Sequence, residues 1–221
     1  ADREWASALR TPAGDVRRAL RGRERAYLLI VNTDDECVIG GDRTAVERVV
    51  ADLGAAFVPL QGVTTVHCDV LAPVAAAYHA LHVFDDAGPP PDGARVYSCA
   101  WGRAYDVTRT SGADSIVDNA RRGFDWPRTV RRAYDDGVRV FVEIGPGGSA
   151  TRMTRRILGD RPHRALALEV EGRDGLEGLL RVLGALAVEG FAPDLARLHD
   201  AAVPGRAERS ARGPVVARVA P

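Results

Sequence analysis

A histidine at a predicted junction between a strand and a helix is the first candidate for chemistry in this sequence. The run Val63 to Val66 is β-branched at every position, so we expect it to be stiff and extended. His67 comes next, and an Ala- and Leu-rich stretch that predicts a helix follows it. A junction of this kind can hold a side chain at the rim of a cleft. His67 is therefore either a packed structural residue or a general acid or base.

A catalytic histidine needs a nucleophile within hydrogen-bond reach, and the serines offer no obvious one. The nucleophile elbow of hydrolases has the pattern GxSxG, which none of the serines shows. Ser149 comes nearest, but Thr151 stands where the second glycine is required. The residues alone therefore provide a plausible base without a plausible nucleophile.

A glycine turn, Gly145 to Gly148 (GPGG), joins a predicted strand to a predicted helix. Backbone N–H groups at the start of a helix can bind an anion. The turn lacks the GxGxxG spacing of dinucleotide sites and the lysine of a P-loop, since all 30 basic residues are arginine. It is either a tight connection that lets strand and helix pack closely or an anion site.

Metal binding is not indicated by the histidines and cysteines. His79 and His82 are three residues apart on one predicted helix face, but no suitable third ligand is near them. Cys37, Cys68 and Cys99 are widely spaced, which favours reduced thiols in a cytoplasmic protein. We therefore predict no metal site and no disulfide scaffold.

Composition limits the classes of partner. The 221 residues are 46% hydrophobic, which is enough for a substantial core. Thirty basic residues balance thirty acidic ones, which argues against binding to nucleic acid or to an anionic membrane surface. No apolar run approaches the roughly 20 residues of a membrane-spanning helix.

The first third of the chain predicts a small α+β unit. A hairpin is followed by a helix with Asp42 as its N-cap and Gly54 as its C-cap, and then by another strand. This order suggests a ferredoxin-like unit. The predicted elements are a helix over 3–21 with a break at 11–14, strands at 26–32 and 37–41, a helix at 44–53 and a strand at 56–60.

The rest of the chain alternates between strands and helices, which predicts a parallel sheet. The predicted strands are 95–100, 105–107, 139–144 and 164–168. The predicted helices run from just after His67 to about Val83 and over 113–122, 126–136, 149–158 and 176–189. The residues from Pro204 onward predict a linker or tail.

Three segments together resemble a known family. In order they are IVNTDDECVIGGDRTAVERVV, FVPLQGVTTVHCDVLAPV and DWPRTVRRAYDDGVRVFVEIGPGGSATRMTRRIL. They resemble the C-terminal half of malonyl/acyl-CoA:acyl-carrier-protein transacylases. Their sequences are similar to those of acyltransferase domains of polyunsaturated-fatty-acid-synthase and glycolipid-synthase type polyketide synthases.

The resemblance implies a fold and a division of the chain. The fold class is α/β: the C-terminal part of a hydrolase-like α/β subdomain plus a small ferredoxin-like α+β subdomain. Residues 1–62 are expected to belong to the small subdomain and residues 63–203 to the large one, with 204–221 as linker or tail.

The resemblance also implies a missing partner segment. In this family the nucleophilic serine of GHSxGE, an arginine for the malonyl carboxylate and one oxyanion-hole N–H precede the segments quoted above, and this sequence contains no GHSxGE. We therefore expect the serine segment on another chain or fragment, and this chain alone to be inactive.

Residue roles follow from the resemblance as expectations. His67 matches the catalytic histidine, which takes the serine proton and returns it to the departing thiolate. Val66, and Thr64 two residues before it, match positions that line the acyl pocket. A main-chain carbonyl from the segment before Trp126 is expected to orient the histidine. Malonyl-CoA or another acyl-CoA is the expected substrate and acyl carrier protein the partner, with no bound cofactor.

Two other classes of function stay open at this point. The chain could be a non-catalytic docking or scaffold fragment for a carrier protein, or an anion- or nucleotide-binding α/β domain that uses the GPGG turn.

Overall fold

A computed structural model describes residues 4–60, 66–85 and 88–195. Its first six elements are β1 (Glu4–Leu9), α1 (Ala13–Ala19), β2 (Ala26–Thr33), β3 (Glu36–Asp42), α2 (Arg43–Leu53) and β4 (Phe57–Leu60). The strands form an antiparallel sheet in the order β4-β1-β3-β2. A β-α-β-β-α-β chain order with this sheet is ferredoxin-like, so the predicted unit is confirmed.

The helix predicted over residues 3–21 is wrong for its first half. Residues Glu4–Leu9 form β1, and only Ala13–Ala19 are helical. The Ala- and Leu-containing stretch has good helix propensity, but β1 is paired on both sides, with Leu9 opposite Cys37 of β3 and Phe57 of β4. Pairing along two strands outweighs a local preference for helix.

Local signals set the boundaries of α2 as predicted. The Asp42 carboxylate accepts a hydrogen bond from the Ala45 N–H at 3.1 Å, and Gly54 ends the helix with φ of +56°. The helix buries Val46 and Val49 completely against the sheet and α1. Complete burial of one such side chain contributes about 1.5–3 kcal/mol.

The chain then leaves the sheet and returns to its far edge. A 3-10 helix (Asp69–Val74) leads into α3 (Ala75–Ala80), and a short hairpin of β5 (Val96–Ser98) and β6 (Arg103–Tyr105) precedes α4 (Ser111–Arg122). Strand β7 (Phe124–Asp125) then pairs in parallel with β2. The single helix predicted up to Val83 is therefore wrong. Pro73 lacks an N–H and cannot continue an α-helical hydrogen-bond pattern, which fits the 3-10 conformation around it.

The last part has the predicted alternation. Helix α5 (Trp126–Asp135), strand β8 (Val140–Glu143), α6 (Ser149–Leu158), β9 (Arg164–Ala167) and α7 (Gly175–Val188) follow one another. Strands β8 and β9 are parallel, as expected. Their core is a cluster of Val130, Ile157 and Leu158 between α5 and α6. The chain thus combines a ferredoxin-like unit with an α/β segment, and the predicted fold class is confirmed.

Within the described ranges, no helix is both long enough and apolar enough to cross a membrane.

Candidate active site

His67 is held in an unusual backbone conformation two residues before the start of the 3-10 helix. Its φ is +64°, in the left-handed region that few residues other than glycine adopt. The next residue, Cys68, is buried and packs with Leu29 and Val38 of the large sheet. Such a conformation costs about 1–3 kcal/mol and is typical of functional sites. The buried neighbour therefore fixes the main chain while the half-buried imidazole faces a cavity.

A main-chain oxygen sets the orientation and the tautomer of this imidazole. The Nδ1 atom of His67 lies 2.9 Å from the carbonyl oxygen of Asn119 in α4. A carbonyl oxygen can only accept, so Nδ1 must carry a proton and donate. In the neutral ring Nε2 then has the free lone pair. Asn119 lies before Trp126, in the segment from which an orienting carbonyl is expected.

An aromatic residue of β7 packs against the imidazole. The rings of His67 and Phe124 meet edge to face, with centroids 5.3 Å apart and an angle of 86°. Gly123 makes this approach possible, because its φ is +72° and a Cβ there would lie 2.2 Å from the Leu29 oxygen and 3.1 Å from the His67 oxygen. Only glycine allows β7 to lie this close to both segments.

Two side-chain hydrogen bonds anchor α4, the helix that carries Asn119, to the β5–β6 hairpin. The Ser115 hydroxyl donates to Ser98 Oγ at 2.7 Å. The Trp101 Nε1–H donates to an Asp118 carboxylate oxygen at 2.8 Å. Ser115 lies one helical turn before Asn119, so these contacts hold the carbonyl in place.

A third contact ties α4 to the segment after the histidine. Arg121 pairs with Asp69, the first residue of the 3-10 helix, at 2.6 Å. This ion pair thereby gives a second link between α4, which carries Asn119, and the segment that follows His67.

The imidazole opens onto a cavity of about 420 Å³. Its lining is mixed, with apolar side chains of Val66, Leu71 and Ile116 and hydroxyl groups of Ser98 and Ser115. This volume lies within the usual range for small-molecule sites. The hydrogen bond recorded for the His67 ring within the described residues is the one from Nδ1 to the Asn119 carbonyl oxygen.

Of the two residues predicted to line the acyl pocket, the structure describes one. Val66 lies on the cavity wall beside the histidine. Thr64 falls in residues 61–65, outside the described part of the chain. Tyr78, Ser98, Ser115 and Asn119 line the same cavity and were not singled out from the sequence. No signal could have found Asn119, because it acts through its main chain.

A side chain already engages two of the main-chain N–H groups at the start of α6, just after the GPGG turn. The Glu143 carboxylate accepts hydrogen bonds from the N–H groups of Ala150 at 3.1 Å and Thr151 at 2.7 Å. A side chain from the preceding strand therefore already occupies the position that an anion would take.

His79 and His82 have separate partners. His79 Nε2 lies 2.9 Å from an Asp114 carboxylate oxygen, and His82 Nδ1 lies 2.7 Å from the Tyr78 carbonyl oxygen. The described residues contain no group of three or more metal-ligating side chains in one place.

Comparison with curated proteins finds two partial relatives. The chain is 30% identical to 5-methyl-1-naphthoate synthase of Streptomyces sahachiroi over 140 residues. This alignment covers 59% of this chain and 7% of that protein. It is 25% identical over 172 residues to a polyunsaturated fatty acid synthase polypeptide of a Thraustochytrium species, covering 72% of this chain and 8% of that protein. No family model matches the chain.

Solved structures share the fold over most of this chain. The acyltransferase domain from the second module of the salinomycin polyketide synthase superimposes with a TM-score of 0.77 at 23% identity, covering 90% of this chain and 47% of that one. A malonyl-transacylase in complex with a type II polyketide synthase acyl-carrier protein gives 0.70 at 21% identity, with 83% and 59% covered. The sequence resemblance is thereby confirmed, and this chain has the fold of a transacylase acyltransferase domain over about half of that domain's length.

Proposed function

We propose that this chain is the histidine-bearing part of an acyltransferase that moves a malonyl or other acyl group from coenzyme A to an acyl carrier protein. The observation that carries the proposal is the geometry of His67. Its Nδ1 is occupied by the Asn119 carbonyl, its Nε2 is available, and its ring faces a cavity of substrate size. The matching fold supports it.

His67 acts as general base and then as general acid in this proposal. Its Nε2 takes the proton of a serine hydroxyl as the oxygen attacks the thioester carbonyl carbon. The carbon–sulfur bond breaks, the acyl group stays on the serine, and the imidazolium returns the proton to the coenzyme A thiolate. The same cycle with the carrier's phosphopantetheine thiol transfers the acyl group onward.

The imidazolium is stabilised where the structure holds it. Protonation at Nε2 leaves Nδ1–H donating to the Asn119 carbonyl, and a charged donor makes that hydrogen bond stronger. The edge-to-face contact with Phe124 restrains the ring plane, so the proton acceptor does not turn away from the cavity. Pre-organisation of this kind lowers the barrier without motion at the moment of reaction.

The acyl group would lie in the cavity beside His67. Val66 forms part of its wall, and Thr64, two residues earlier, is proposed to reach the same space. The hydroxyl pair of Ser98 and Ser115 gives the floor a polar spot among apolar side chains. A carboxylated acyl group such as malonyl is compatible with that mixture.

The serine is proposed to come from a segment outside these 221 residues, on another chain or fragment. Apolar surface around the short parallel sheet supports this part of the proposal. Val142 of β8 is 39% exposed and Ile144 just after it is 77% exposed. Both faces of a parallel sheet are normally covered, so these residues mark a surface that a further segment would cover. The division at 1–62, 63–203 and 204–221 is part of the same proposal.

A docking or scaffold role without chemistry is the second candidate. The exposed apolar residues of β8 and its surroundings favour this role, because exposed apolar surface is typical of a surface that binds a partner. It does not account for the strained backbone at His67 or for its Asn119 contact, since a docking surface needs neither.

Reconstitution tests the proposal. The chain is purified alone and together with the polypeptide that carries the serine segment, and each is incubated with labelled malonyl-CoA and holo acyl carrier protein. We expect label on the carrier only with both parts present, and no acyl adduct on this chain by intact mass. A stable acyl-serine on this chain, or a partnered complex that binds carrier and never acylates it, would refute the proposed reaction.

A further inference from the structure

A cleft lined by arginines lies between α6, β9 and α7. Its volume is about 800 Å³, within the range of small-molecule binding sites. The charged side chains on its wall are all basic within the described residues: Arg152, Arg155, Arg156, Arg173 and Arg181. It shares no lining residue with the cavity at His67.

The positive charge of this cleft is only partly neutralised. Arg152 and Arg156 both approach Glu36 of β3, at 3.2 and 3.9 Å. Two of five arginines thus share one carboxylate, although Arg156 also contacts Asp35. Arg155 donates to the Ala165 carbonyl oxygen, which carries no net charge.

The two arginines on the α7 side are less restrained. Arg181 pairs with Glu177, four residues earlier on its own helix, and both side chains are exposed. The guanidinium of Arg173 has no hydrogen bond or ion pair with any described residue. Arg173 is thus available to an anion, and Arg181 can exchange its exposed pair with Glu177 for one.

A residue on the wall of the same cleft has a buried hydroxyl without a partner. Thr151 lines the cleft and is only 8% exposed, yet its Oγ1 has no hydrogen-bond partner among the described residues. Its main-chain N–H is already used, because it donates to Glu143. A buried hydroxyl left unpaired is costly, and a turn of the Thr151 side chain toward the cleft would let a ligand oxygen satisfy it.

Close packing holds the walls in position. A Cβ at Gly178 of α7 would lie 1.9 Å from the Leu168 carbonyl oxygen, so α7 rests directly on the chain that leaves β9. Val182, one turn further along α7, is buried, and with Leu166 it supplies the apolar floor. The arginines are therefore displayed around a preformed concavity.

We propose that this cleft binds a small phosphate-bearing anion with at least two negative charges, such as a pyrophosphate or bisphosphate group. Guanidinium groups recognise phosphate oxygens through paired N–H donors, and the Thr151 hydroxyl adds a neutral donor at the base. The concave shape suits a small molecule better than a flat protein surface. The group could come from the bisphosphate end of a nucleotide or from free pyrophosphate.

Calorimetric titration of the full chain with pyrophosphate at low ionic strength tests this site without any acyl transfer. We expect saturable one-to-one binding that weakens with added salt. The double variant Arg173→Gln/Arg181→Gln should bind at least about tenfold more weakly. Its matched control is Arg21→Gln/Arg48→Gln, which removes the same charge from exposed positions elsewhere and should bind like wild type.

Thr151→Val tests the buried hydroxyl separately. It preserves side-chain shape, so the melting temperature should stay the same or rise while affinity falls several-fold. Competition with adenosine 3′,5′-bisphosphate distinguishes the sources: tighter binding than pyrophosphate assigns a nucleotide, and weaker binding assigns the free anion.

Three outcomes would overturn the proposal: no pyrophosphate binding at millimolar concentration, an equal loss in the control double variant, or unchanged affinity in both cleft variants. Binding of a glutamate-rich peptide without pyrophosphate binding would instead make the cleft a protein-docking surface. None of these outcomes bears on His67, whose role is tested by transfer rates.

Discussion

The Nδ1 atom of His67 lies 2.9 Å from the main-chain oxygen of Asn119, 52 positions further along the chain. This contact joins the segment that enters the 3-10 helix to the last turns of α4. It makes Nδ1 the donor and leaves Nε2 for proton transfer. The proposed role of His67 depends on the elements that keep these two atoms together.

Gly123 is expected to be intolerant of a side chain because its backbone lies against two carbonyl oxygens. Gly123→Ala should lower the free energy of unfolding by more than the about 1–3 kcal/mol that left-handed backbone strain costs alone. The reason is that a Cβ would also collide with the Leu29 oxygen. Transfer by the folded enzyme should fall at least about tenfold, roughly 1.4 kcal/mol of barrier, because the His67 oxygen is the second neighbour.

Gly22→Ala is the matched control for that variant. Gly22 has φ of +70°, close to the +72° of Gly123, but nothing lies within 4 Å of its Cβ position. Chemical denaturation and transfer assays on both variants check the prediction. Equal losses of stability and unchanged transfer in Gly123→Ala would show that the close approach is unimportant.

Ser115→Ala should weaken the anchoring of α4. It removes one hydrogen bond to Ser98, which is worth about 1 kcal/mol of stability. We expect the transfer rate to fall several-fold as well, because Asn119 lies one turn further along the helix. Ser111→Ala also removes hydroxyl hydrogen bonds, but at the exposed start of α4. If both variants transfer equally well in steady-state assays, the Ser98–Ser115 contact does not position the histidine.

Glu143 should stabilise the strand–turn–helix unit around GPGG. Its carboxylate accepts from two N–H groups at the start of α6, so Glu143→Gln should lower the free energy of unfolding by about 1–2 kcal/mol. Glu169→Gln removes the same charge from a nearby exposed side chain and should change stability by less than about 0.5 kcal/mol. Urea denaturation that gives the same midpoint for both variants would contradict this role.

The buried thiol of Cys37 predicts a loss of stability in alkali. Burial is the largest cause that raises the pKa of Cys37, from 9.0 to about 11. Above about pH 9 the unfolded chain loses this proton while the folded chain keeps it. Stability therefore falls as pH rises from 9 to 11, by on the order of 2 kcal/mol.

Cys37→Ala separates this effect from other titrations. The variant will be less stable at pH 8 because a buried side chain is shortened, but its stability should decline less steeply between pH 9 and 11. Denaturation curves across this range that run parallel for wild type and variant would refute the assignment.

Local chemistry explains which elements the sequence predicts well. The hairpin and α2 have their own signals, such as the N-cap at Asp42 and the left-handed C-cap at Gly54. Strand β1 has none, because its conformation follows from pairing with β3 and β4. The 3-10 segment depends on Pro73, whose effect inside an otherwise helical pattern is easy to underestimate.

The candidate site also combines residues that the sequence could select with contacts that it could not. His67 and Val66 could be selected because a β-branched run meets a helical pattern there. Their partners come from distant positions, through a main-chain oxygen at Asn119 and a ring at Phe124 that only Gly123 lets approach. Such contacts depend on tertiary packing, and residue type carries little information about them.

The rate of acyl transfer by the complete enzyme carrying His67→Ala is the most direct test of the account. General acid–base catalysis contributes about 10²–10⁴-fold, or roughly 3–5 kcal/mol of barrier. Transfer from labelled malonyl-CoA to carrier protein and the melting temperature are measured for wild type, His67→Ala and His163→Ala. His163 is the control because its Nδ1 contacts only the nearby Arg161 oxygen and it lies outside the cavity. We predict that His67→Ala lowers transfer at least 100-fold while the protein remains folded at the assay temperature, and that His163→Ala transfers at the wild-type rate. Wild-type transfer by His67→Ala, or a loss that only follows its unfolding, would show that His67 is structural and contradict the account.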